Sequence, residues 1–176
     1  LYIRDYNTRP LVQDGRVYQC EILNEDVKIS IISQGTANSH AFVYTMDGKL
    51  YGFGHNFQKQ LGVSTPMKNK NKNILIDTNI MKSNIIQIQC GGCHSVFLTQ
   101  KGSVFGCGSN EYGQLTNEHS KGYNEIIQIS KVKQIKQIGC CAYSTFVFDI
   151  NGIISGFGRN WRGLLGINSD YTEWGK

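Results

Sequence analysis

The stretch that decides the fold is HSVFLTQKGSVFGCGSNEYGQLT, residues 94–116, because the chain contains this pattern three times. It occurs upstream as HAFVYTMDGKLYGFGHNFQKQLG, residues 40–62, and downstream as STFVFDINGIISGFGRNWRGLLG, residues 144–166. The three segments align without a gap, at offsets of 54 and then 50 residues. A repeat of this length is typical of proteins that stack one small structural unit several times.

Each repeat consists of two apolar segments joined by a glycine turn, followed by Gly-x-Gly and then by an asparagine and a leucine. Glycine permits positive φ and close backbone approach, and asparagine is suited to bonding the backbone of a turn. We therefore interpret the shared columns as a structural motif. Its members are Gly48, Gly102 and Gly152 in the turn, Gly52, Gly106 and Gly156 with Gly54, Gly108 and Gly158 in Gly-x-Gly, then Asn56, Asn110 and Asn160, and finally Leu61, Leu115 and Leu165.

Four strand signals recur in each unit. In the middle unit they cover residues 94–99, 103–107, 126–129 and 135–140, which are short runs of β-branched and aromatic residues between turn signals. The dipeptides Asp47-Gly48 and Asn151-Gly152 predict tight hairpin turns between the first two strands. Helical periodicity is not sustained in any segment, so the chain is predicted to be all-β.

Four short strands that recur about every 50 residues indicate a β-propeller of four-stranded blades. We place repeat units at residues starting near 34, 88 and 138, and interpret residues 1–33 as a degenerate blade. The chain is then one partial propeller domain, 1–176, with about three and a half blades. An open arc would leave sheet edges unpaired, which propellers avoid by closing. We therefore expect a fragment of a longer chain, or an arc that another polypeptide completes.

The segment GGCHSVFLTQKGSVFGCGSNEYGQL, residues 91–115, resembles the repeat of the regulator of chromosome condensation family, and the resemblance extends over about residues 31–176. It implies a seven-bladed propeller. The founding member of that family promotes guanine-nucleotide exchange on the Ran GTPase and docks on chromatin. This chain departs from the family pattern at Lys59, Thr116, Ser144 and Leu164. We expect these departures to loosen single turns without changing the fold.

Composition and charge narrow the functional classes. The 176 residues are 40% hydrophobic and 18% charged, which predicts a folded globular domain, and the net charge of +5 is weak support for acidic partners. Apolar runs are far shorter than the roughly 18 residues of a membrane helix, and no signal peptide is visible, so we expect no membrane span. The six cysteines are predicted to be free thiols in an intracellular, reducing compartment, either cytoplasm or nucleus, with an organelle left open.

The motif Cys90-Gly-Gly-Cys93-His94 matches the attachment pattern of a c-type haem. Its cysteine columns hold Thr36 and Ser39 in the gapless alignment of the first unit, so the repeat accounts for the motif without a cofactor. We therefore expect no haem, and no cofactor of any kind.

Metal and catalytic sites lack support in the sequence. A structural zinc site needs about four Cys or His ligands in paired spacing, whereas the adjacent Cys140 and Cys141 would point to opposite faces of a strand. His40 and His94 occupy a repeat column, and His55 and His119 stand alone in loops. We predict no metal site, no catalytic residue and buried cysteines that act as small apolar side chains.

Two groups of residues are candidates for partner binding. Lys68, Lys70 and Lys72 lie in the longest loop of the first unit and could meet phosphates, although a solvated loop is the simpler interpretation and direct nucleic-acid binding is not expected. The second group follows or adjoins the asparagine column, in loops on one rim: Phe57, Tyr112, Trp161 and Arg162. Such residues either bind partners or pack on the next blade, and the sequence leaves both open.

The leading functional hypothesis is a non-catalytic protein–protein interaction scaffold that belongs to a larger protein or assembly. The alternative, implied by the family resemblance, is a guanine-nucleotide exchange factor for a Ran-like small GTPase with chromatin association. The first hypothesis predicts protein partners without chemistry, and the second predicts accelerated release of nucleotide.

Overall fold

The computed structural model describes residues 27–35, 40–64, 73–116, 120–129 and 134–167, which form eleven β-strands and two short 3₁₀ helices. The strands are β1 Ile29–Gln34, β2 His40–Thr45, β3 Leu50–Gly54, β4 Ile74–Ile76, β5 Ile85–Cys90, β6 His94–Thr99, β7 Val104–Gly108, β8 Tyr123–Gln128, β9 Ile135–Cys140, β10 Ser144–Asp149 and β11 Ile154–Gly158. The 3₁₀ helices cover Asn79–Met81 and Trp161–Gly163. The all-β prediction is confirmed.

The strands form three antiparallel sheets. The first has the order β1-β2-β3-β4, the second β5-β6-β7-β8 and the third β9-β10-β11. Neighbouring sheets contact each other chiefly through their first strands, β1 with β5 and β5 with β9. The first strands of successive sheets therefore adjoin, as the inner strands of propeller blades do.

Strand pairing corrects one part of the sequence interpretation. Residues 135–140 were assigned to the middle unit, but they form β9 and pair with β10, with Ile138 opposite Val147. The physical reason is the connection of three residues after Cys140, which returns the chain antiparallel beside β9. Each sheet thus begins one strand before the repeated segment. Residues 29–33 belong to β1 of the first sheet, whereas the rest of the predicted degenerate blade up to residue 26 lies outside the described residues.

Apolar side chains fill the two spaces between the sheets. Between the first and second sheets, the rings of Phe42 and Phe97 meet edge to face with their centroids 5.2 Å apart. Between the second and third sheets, Leu98, Ile138 and Phe157 belong to one buried cluster. Each four-stranded sheet is too thin to enclose a core of its own, so burial between sheets is the main stabilising contribution.

The glycine turns adopt the predicted conformation. Gly48, Gly102 and Gly152 have φ of 84°, 73° and 84°, and each donates its N–H to the carbonyl three residues earlier. These hairpins connect β2 to β3, β6 to β7 and β10 to β11. We call the edge of the sheets where they lie the hairpin rim.

The asparagine column fixes the loops at the opposite ends of these strands. Asn110 Oδ1 accepts the N–H of Leu115 at 2.7 Å, and its Nδ2 donates to the carbonyl of Thr116. Asn56 and Asn160 accept the equivalent leucine N–H in the other two sheets, and their Nδ2 atoms donate to the carbonyl one residue further along, that of Val63 and Ile167. The prediction that this column bonds the turn backbone is confirmed, and we call this edge the asparagine rim.

The first glycine of each Gly-x-Gly makes room for the leucine that the asparagine holds. A Cβ added to Gly106 would lie 2.6 Å from Leu115 Cδ2 and 3.1 Å from the Ser95 carbonyl oxygen. Gly52 faces Leu61 and Gly156 faces Leu165 in the same way. The glycine and leucine columns therefore belong to one packing unit.

We expect Gly106→Ala to lower the free energy of unfolding by about 2 kcal/mol, because the added methyl group overpacks the site of Leu115. Gly139→Ala is the matched control, since a Cβ at Gly139 in β9 meets nothing within 4 Å. Urea unfolding of both variants measures the difference. In a double-mutant cycle the Gly106→Ala penalty should shrink in a Leu115→Ala background, and strict additivity would contradict this packing argument.

Candidate functional site

The two repeat-column histidines join neighbouring sheets. His40 Nε2 lies 2.8 Å from Ser95 Oγ in the second sheet, and His94 Nε2 lies 3.0 Å from Thr145 Oγ1 in the third. In the sequence these histidines are visible only as a repeat column. The structure shows that they bridge two units, because the hydroxyl one column further along the chain faces the ring of the preceding sheet.

Each bridge continues to a backbone carbonyl in the sheet of the histidine. Ser95 Oγ donates to the Gln60 carbonyl at 2.7 Å, and Thr145 Oγ1 donates to the Gln114 carbonyl at 2.7 Å. Since the hydroxyl has a single proton and donates it to the carbonyl, it must accept from Nε2–H of the imidazole. Both rings are therefore neutral Nε2–H tautomers with an unprotonated Nδ1.

Burial keeps these imidazoles neutral. It lowers the pKa of His94 from 6.5 to about 3, with His40 acting in the same direction. It also lowers the pKa of His40 to about 4, with His55 as the second cause. The Nδ1 atoms are buried without a hydrogen-bond partner among the described residues, so a proton there would have no acceptor.

The Gly-Gly-x-His motif is explained by this bridge. The imidazole of His94 occupies the place of a Cβ at Gly91. Gly92 donates its N–H to the Ala142 carbonyl in the third sheet at 2.9 Å, and a Cβ there would lie 2.9 Å from the same oxygen. Close approach of ring and backbone therefore requires both glycines.

The third sheet lacks both the glycine and the histidine of this motif, with Cys141 and Ser144 in their places. Gly35, Gly91 and Cys141 are equivalent, because each donates its N–H to the carbonyl of the residue in the histidine column, at 2.8, 2.8 and 2.9 Å. The first two glycines face a histidine ring, whereas Cys141 precedes Ser144, which has no ring. The glycine is dispensable where the imidazole is missing.

The same bonds correct the alignment of Cys90. Because Gly35 is equivalent to Gly91, Cys90 at the end of β5 corresponds to Gln34 at the end of β1, and not to Thr36. Register agrees, since Gln34 pairs with Ala41 and Cys90 pairs with Ser95. The gapless alignment missed a connection that is two residues longer in the first sheet, between residues 35 and 40.

The thiols beside these bridges are packed rather than activated. Cys90 is buried, and burial raises its pKa to about 12, although Ser33 Oγ contacts its Sγ at 3.5 Å. Burial also raises the pKa of Cys107 and Cys140. Thiols held in the neutral form are poor nucleophiles and poor metal ligands. Within the described ranges no three His, Cys, Asp or Glu side chains cluster closely enough to hold a metal ion.

A group of exposed and half-buried aromatic and arginine side chains lies on the asparagine rim, where the second and third sheets meet. We call Tyr112, Tyr143, Arg159, Trp161 and Arg162 the rim cluster. The Arg159 guanidinium lies 5.0 Å from the Tyr112 ring centroid, 5.8 Å from that of Tyr143 and 5.6 Å from that of Trp161. Arg162 lies 5.0 Å from the Trp161 ring. These distances are those of cation–π contacts.

Local hydrogen bonds hold the backbone of this cluster. Arg159 donates its N–H to the Tyr143 carbonyl at 2.9 Å, and its own carbonyl accepts from Ser144 Oγ at 2.6 Å. The N–H of Tyr112 donates to Gln114 Oε1 at 2.9 Å. The side chains are therefore presented from fixed loop positions.

The structure brings together three of the seven residues predicted for partner binding, namely Tyr112, Trp161 and Arg162. Tyr112 packs on Tyr143 of the next sheet with the ring centroids 5.3 Å apart, whereas Trp161 remains 63% exposed. Packing on the next blade is thus observed for Tyr112, whereas partner binding by the exposed members stays a prediction. Phe57 is 79% exposed in the equivalent loop of the first sheet and contacts the His55 ring.

Sequence reasoning missed Tyr143 and Arg159, the two members that complete the cluster. Tyr143 occupies the column of Cys93, and Arg159 occupies the column of Ser109. A signal was present in the sequence. Tyr143 immediately precedes β10 and Arg159 immediately follows β11, and these two ends lie side by side because Ser144 pairs with Gly158. The lysines at positions 68, 70 and 72 lie outside the described residues.

Comparison with known families agrees with the sequence pattern and the fold. Residues 47–98 and residues 85–114 match models of the regulator of chromosome condensation (RCC1) repeat. Over these residues the chain belongs to the RCC1 repeat family.

Curated relatives extend the similarity. Protein RCC2 of Homo sapiens is 30% identical over 146 residues, which is 82% of this chain and 28% of that protein. The probable E3 ubiquitin-protein ligase HERC4 of Rattus norvegicus is 28% identical over 153 residues, which is 85% of this chain and 14% of that protein. The chain thus spans less than a third of these relatives.

Solved structures support the same β-propeller-like fold. Human WBSCR16 superposes with a TM-score of 0.72 at 22% identity, covering 84% of this chain and 38% of that one. Prp20p of Saccharomyces cerevisiae, described with its binding properties to Gsp1p and histones, gives a TM-score of 0.69 at 22% identity, covering 81% and 36%. Within the described residues, no helix is long and apolar enough to cross a bilayer.

We expect the protein to become less stable as the pH is lowered, because His40 and His94 titrate at lower pH in the folded chain than in the unfolded chain. Above the usual imidazole pKa of 6.5 both histidines are neutral in the folded and in the unfolded chain, and the free energy of unfolding has its full value. As the pH falls from 6.5 toward about 4, the unfolded chain binds protons that the folded chain excludes. The free energy of unfolding should then decrease by about 1.4 kcal/mol per pH unit for each histidine.

Urea unfolding at a series of pH values measures this slope. His94→Gln keeps a side-chain donor for Thr145 and removes one titrating group, so the slope between about pH 6 and pH 5 should be roughly halved. An unchanged slope in this variant would contradict the assignment.

Proposed function

We propose that this chain is a non-catalytic protein–protein interaction module built on RCC1 repeats and part of a larger protein or assembly. The observation that carries the proposal is the contrast between its reactive and exposed side chains. His40, His94 and Cys90 are buried and held in neutral forms by burial. By contrast, Trp161 and Arg162 lie exposed on loops whose backbone is fixed.

Trp and Arg are enriched among the residues that dominate protein interfaces. Their position supports a binding role, because loops on a rigid propeller rim present side chains with little loss of conformational entropy on association. We further propose an intracellular location, cytoplasmic or nuclear, as the free-thiol interpretation of the cysteines requires.

We also propose that the third sheet is covered by another blade of a closed, seven-bladed propeller. Leu50, Val104 and Ile154 occupy one repeat column, and the first two are fully buried while Ile154 is 69% exposed. Gln87 supports the same conclusion, since its side-chain amide makes two bonds of 2.9 Å to the backbone of Ile138 in the next sheet. Gln137 is the equivalent residue of the third sheet.

In the intact protein we expect Ile154→Asp to destabilise the fold by several kcal/mol, because a carboxylate would be buried against the covering sheet. Ile150→Asp is the matched control: Ile150 is 61% exposed on the hairpin rim, and its column partner Met46 is also exposed. Thermal unfolding monitored by circular dichroism compares the two. Equal, small effects of both variants would show that nothing covers Ile154.

The interaction role predicts that partner binding depends on the asparagine rim. We expect Trp161→Ala to lower the capture of protein partners about tenfold or more, as truncation of a central interface tryptophan does. Ile150→Ala, on the opposite rim, should leave capture unchanged. Quantitative mass spectrometry after affinity capture with wild-type protein and both variants, each checked for an unchanged melting temperature, provides the measurement.

Two outcomes would overturn this proposal. One is equal capture by wild type and Trp161→Ala. The other is faster release of labelled nucleotide from a purified Ran-like GTPase in the presence of the protein. That result would identify the protein as an exchange factor and not as a scaffold. The likeness to Prp20p supports the fold alone, so this assay decides between a scaffold and an exchange factor.

A further inference from the structure

The guanidinium groups of the rim cluster keep their hydrogen-bond donors free. Arg159 and Arg162 contact aromatic rings with their charged carbon at 5.0 Å from a ring centroid. Among the described residues, no carboxylate lies within ion-pairing distance of either arginine, and neither side chain donates a hydrogen bond. A cation–π contact uses the face of a guanidinium, whereas its five N–H donors point outward in the plane.

The surroundings of the cluster are positively charged. The three loops that follow Gly-x-Gly, residues 55–64, 109–116 and 159–167, contain Lys59, Arg159 and Arg162 as cations and Glu111 as the single anion. Three positive charges and one negative charge leave a net charge of +2 on this part of the rim. An anionic partner would therefore be attracted to it.

The combination of groups selects among anions. A forked guanidinium pairs with a bidentate acceptor such as a carboxylate or a phosphate, and the neighbouring rings of Tyr143 and Trp161 offer flat apolar area that suits the side chains of a peptide. A nucleic-acid strand would instead require a longer basic track along the described rim, where the cations are few and separated.

Resting on the proposed interaction function, we propose that the rim cluster binds an acidic peptide segment of a partner protein, in which Asp or Glu side chains alternate with apolar ones. The carboxylates pair with Arg159 and Arg162, and the apolar side chains lie on the rings of Tyr143 and Trp161. Tyr112 of the second sheet contacts Arg159 of the third, so the position of this guanidinium depends on both sheets.

Fluorescence anisotropy with a labelled peptide of alternating Glu and Leu tests this site in the intact protein. We expect saturable binding that weakens with salt, and a matched peptide with Gln in place of Glu should bind at least about tenfold more weakly. Arg159→Lys retains the charge but loses the stacked fork, so it should weaken binding of the acidic peptide about tenfold.

Lys101→Gln is the control variant, because Lys101 is an exposed cation on the hairpin rim and its removal changes the net charge without touching the cluster. It should leave the affinity within about twofold, because strands of five or six residues separate the two rims by roughly 15 Å, which exceeds the screening length of about 8 Å at physiological salt. Should Arg159→Lys unfold the protein, Arg162→Lys serves in its place, since the side chain of Arg162 is exposed and contacts a single ring.

Three results would overturn the inference: no binding of the acidic peptide, equal losses in Arg159→Lys and Lys101→Gln, or tighter binding of a thymidine oligomer or a phosphoserine peptide. These results are distinguishable from failure of the interaction role itself. If Trp161→Ala still abolishes partner capture while the acidic peptide does not bind, the module binds partners of another chemistry.

Discussion

The hydrogen bond from a buried imidazole to a hydroxyl of the next sheet is the interaction on which the rest of this structure depends. His40 bonds Ser95, His94 bonds Thr145, and each hydroxyl donates a hydrogen bond to a backbone carbonyl of the preceding sheet. The bridge requires a neutral ring, a hydroxyl and a carbonyl at fixed places in two repeats. Sheets that could slide on purely apolar contacts are thereby held in one register, because buried polar groups must find their partners.

Several other sequence features follow from this bridge. Glycine is needed at Gly35 and Gly91 because the imidazole occupies the space of a Cβ, and Cys141 is tolerated where Ser144 replaces the histidine. The motif that resembles a haem-attachment site is explained by packing between sheets, because its histidine, His94, bonds Thr145. A motif that carries chemistry in one fold has a mechanical explanation in another, and the repeat context distinguishes the two.

Contacts within a repeat were predictable and contacts between repeats were not. The hairpin glycines, the asparagine that bonds its loop and the pairing of Gly106 with Leu115 all lie within about twenty residues of each other, so their spacing recurs and is visible. The partner of each histidine lies 55 or 51 residues away in another sheet. The rim cluster was likewise partly visible: Tyr112, Trp161 and Arg162 were identified from their type and position, whereas Tyr143 and Arg159 were missed. Only the stacking of the second sheet on the third brings Tyr112 onto these two residues.

The sequence by itself determined the repeat, the all-β class, the turns and the residues that support each loop, because these depend on local backbone geometry and on burial at a constant spacing. Only the tertiary structure decided which strand begins each sheet, which hydroxyl each histidine bonds and which side chains form the rim cluster. Those features depend on how one sheet is rotated and placed on the next. That placement is set by the sum of many contacts between residues about fifty positions apart, and no single repeat contains it.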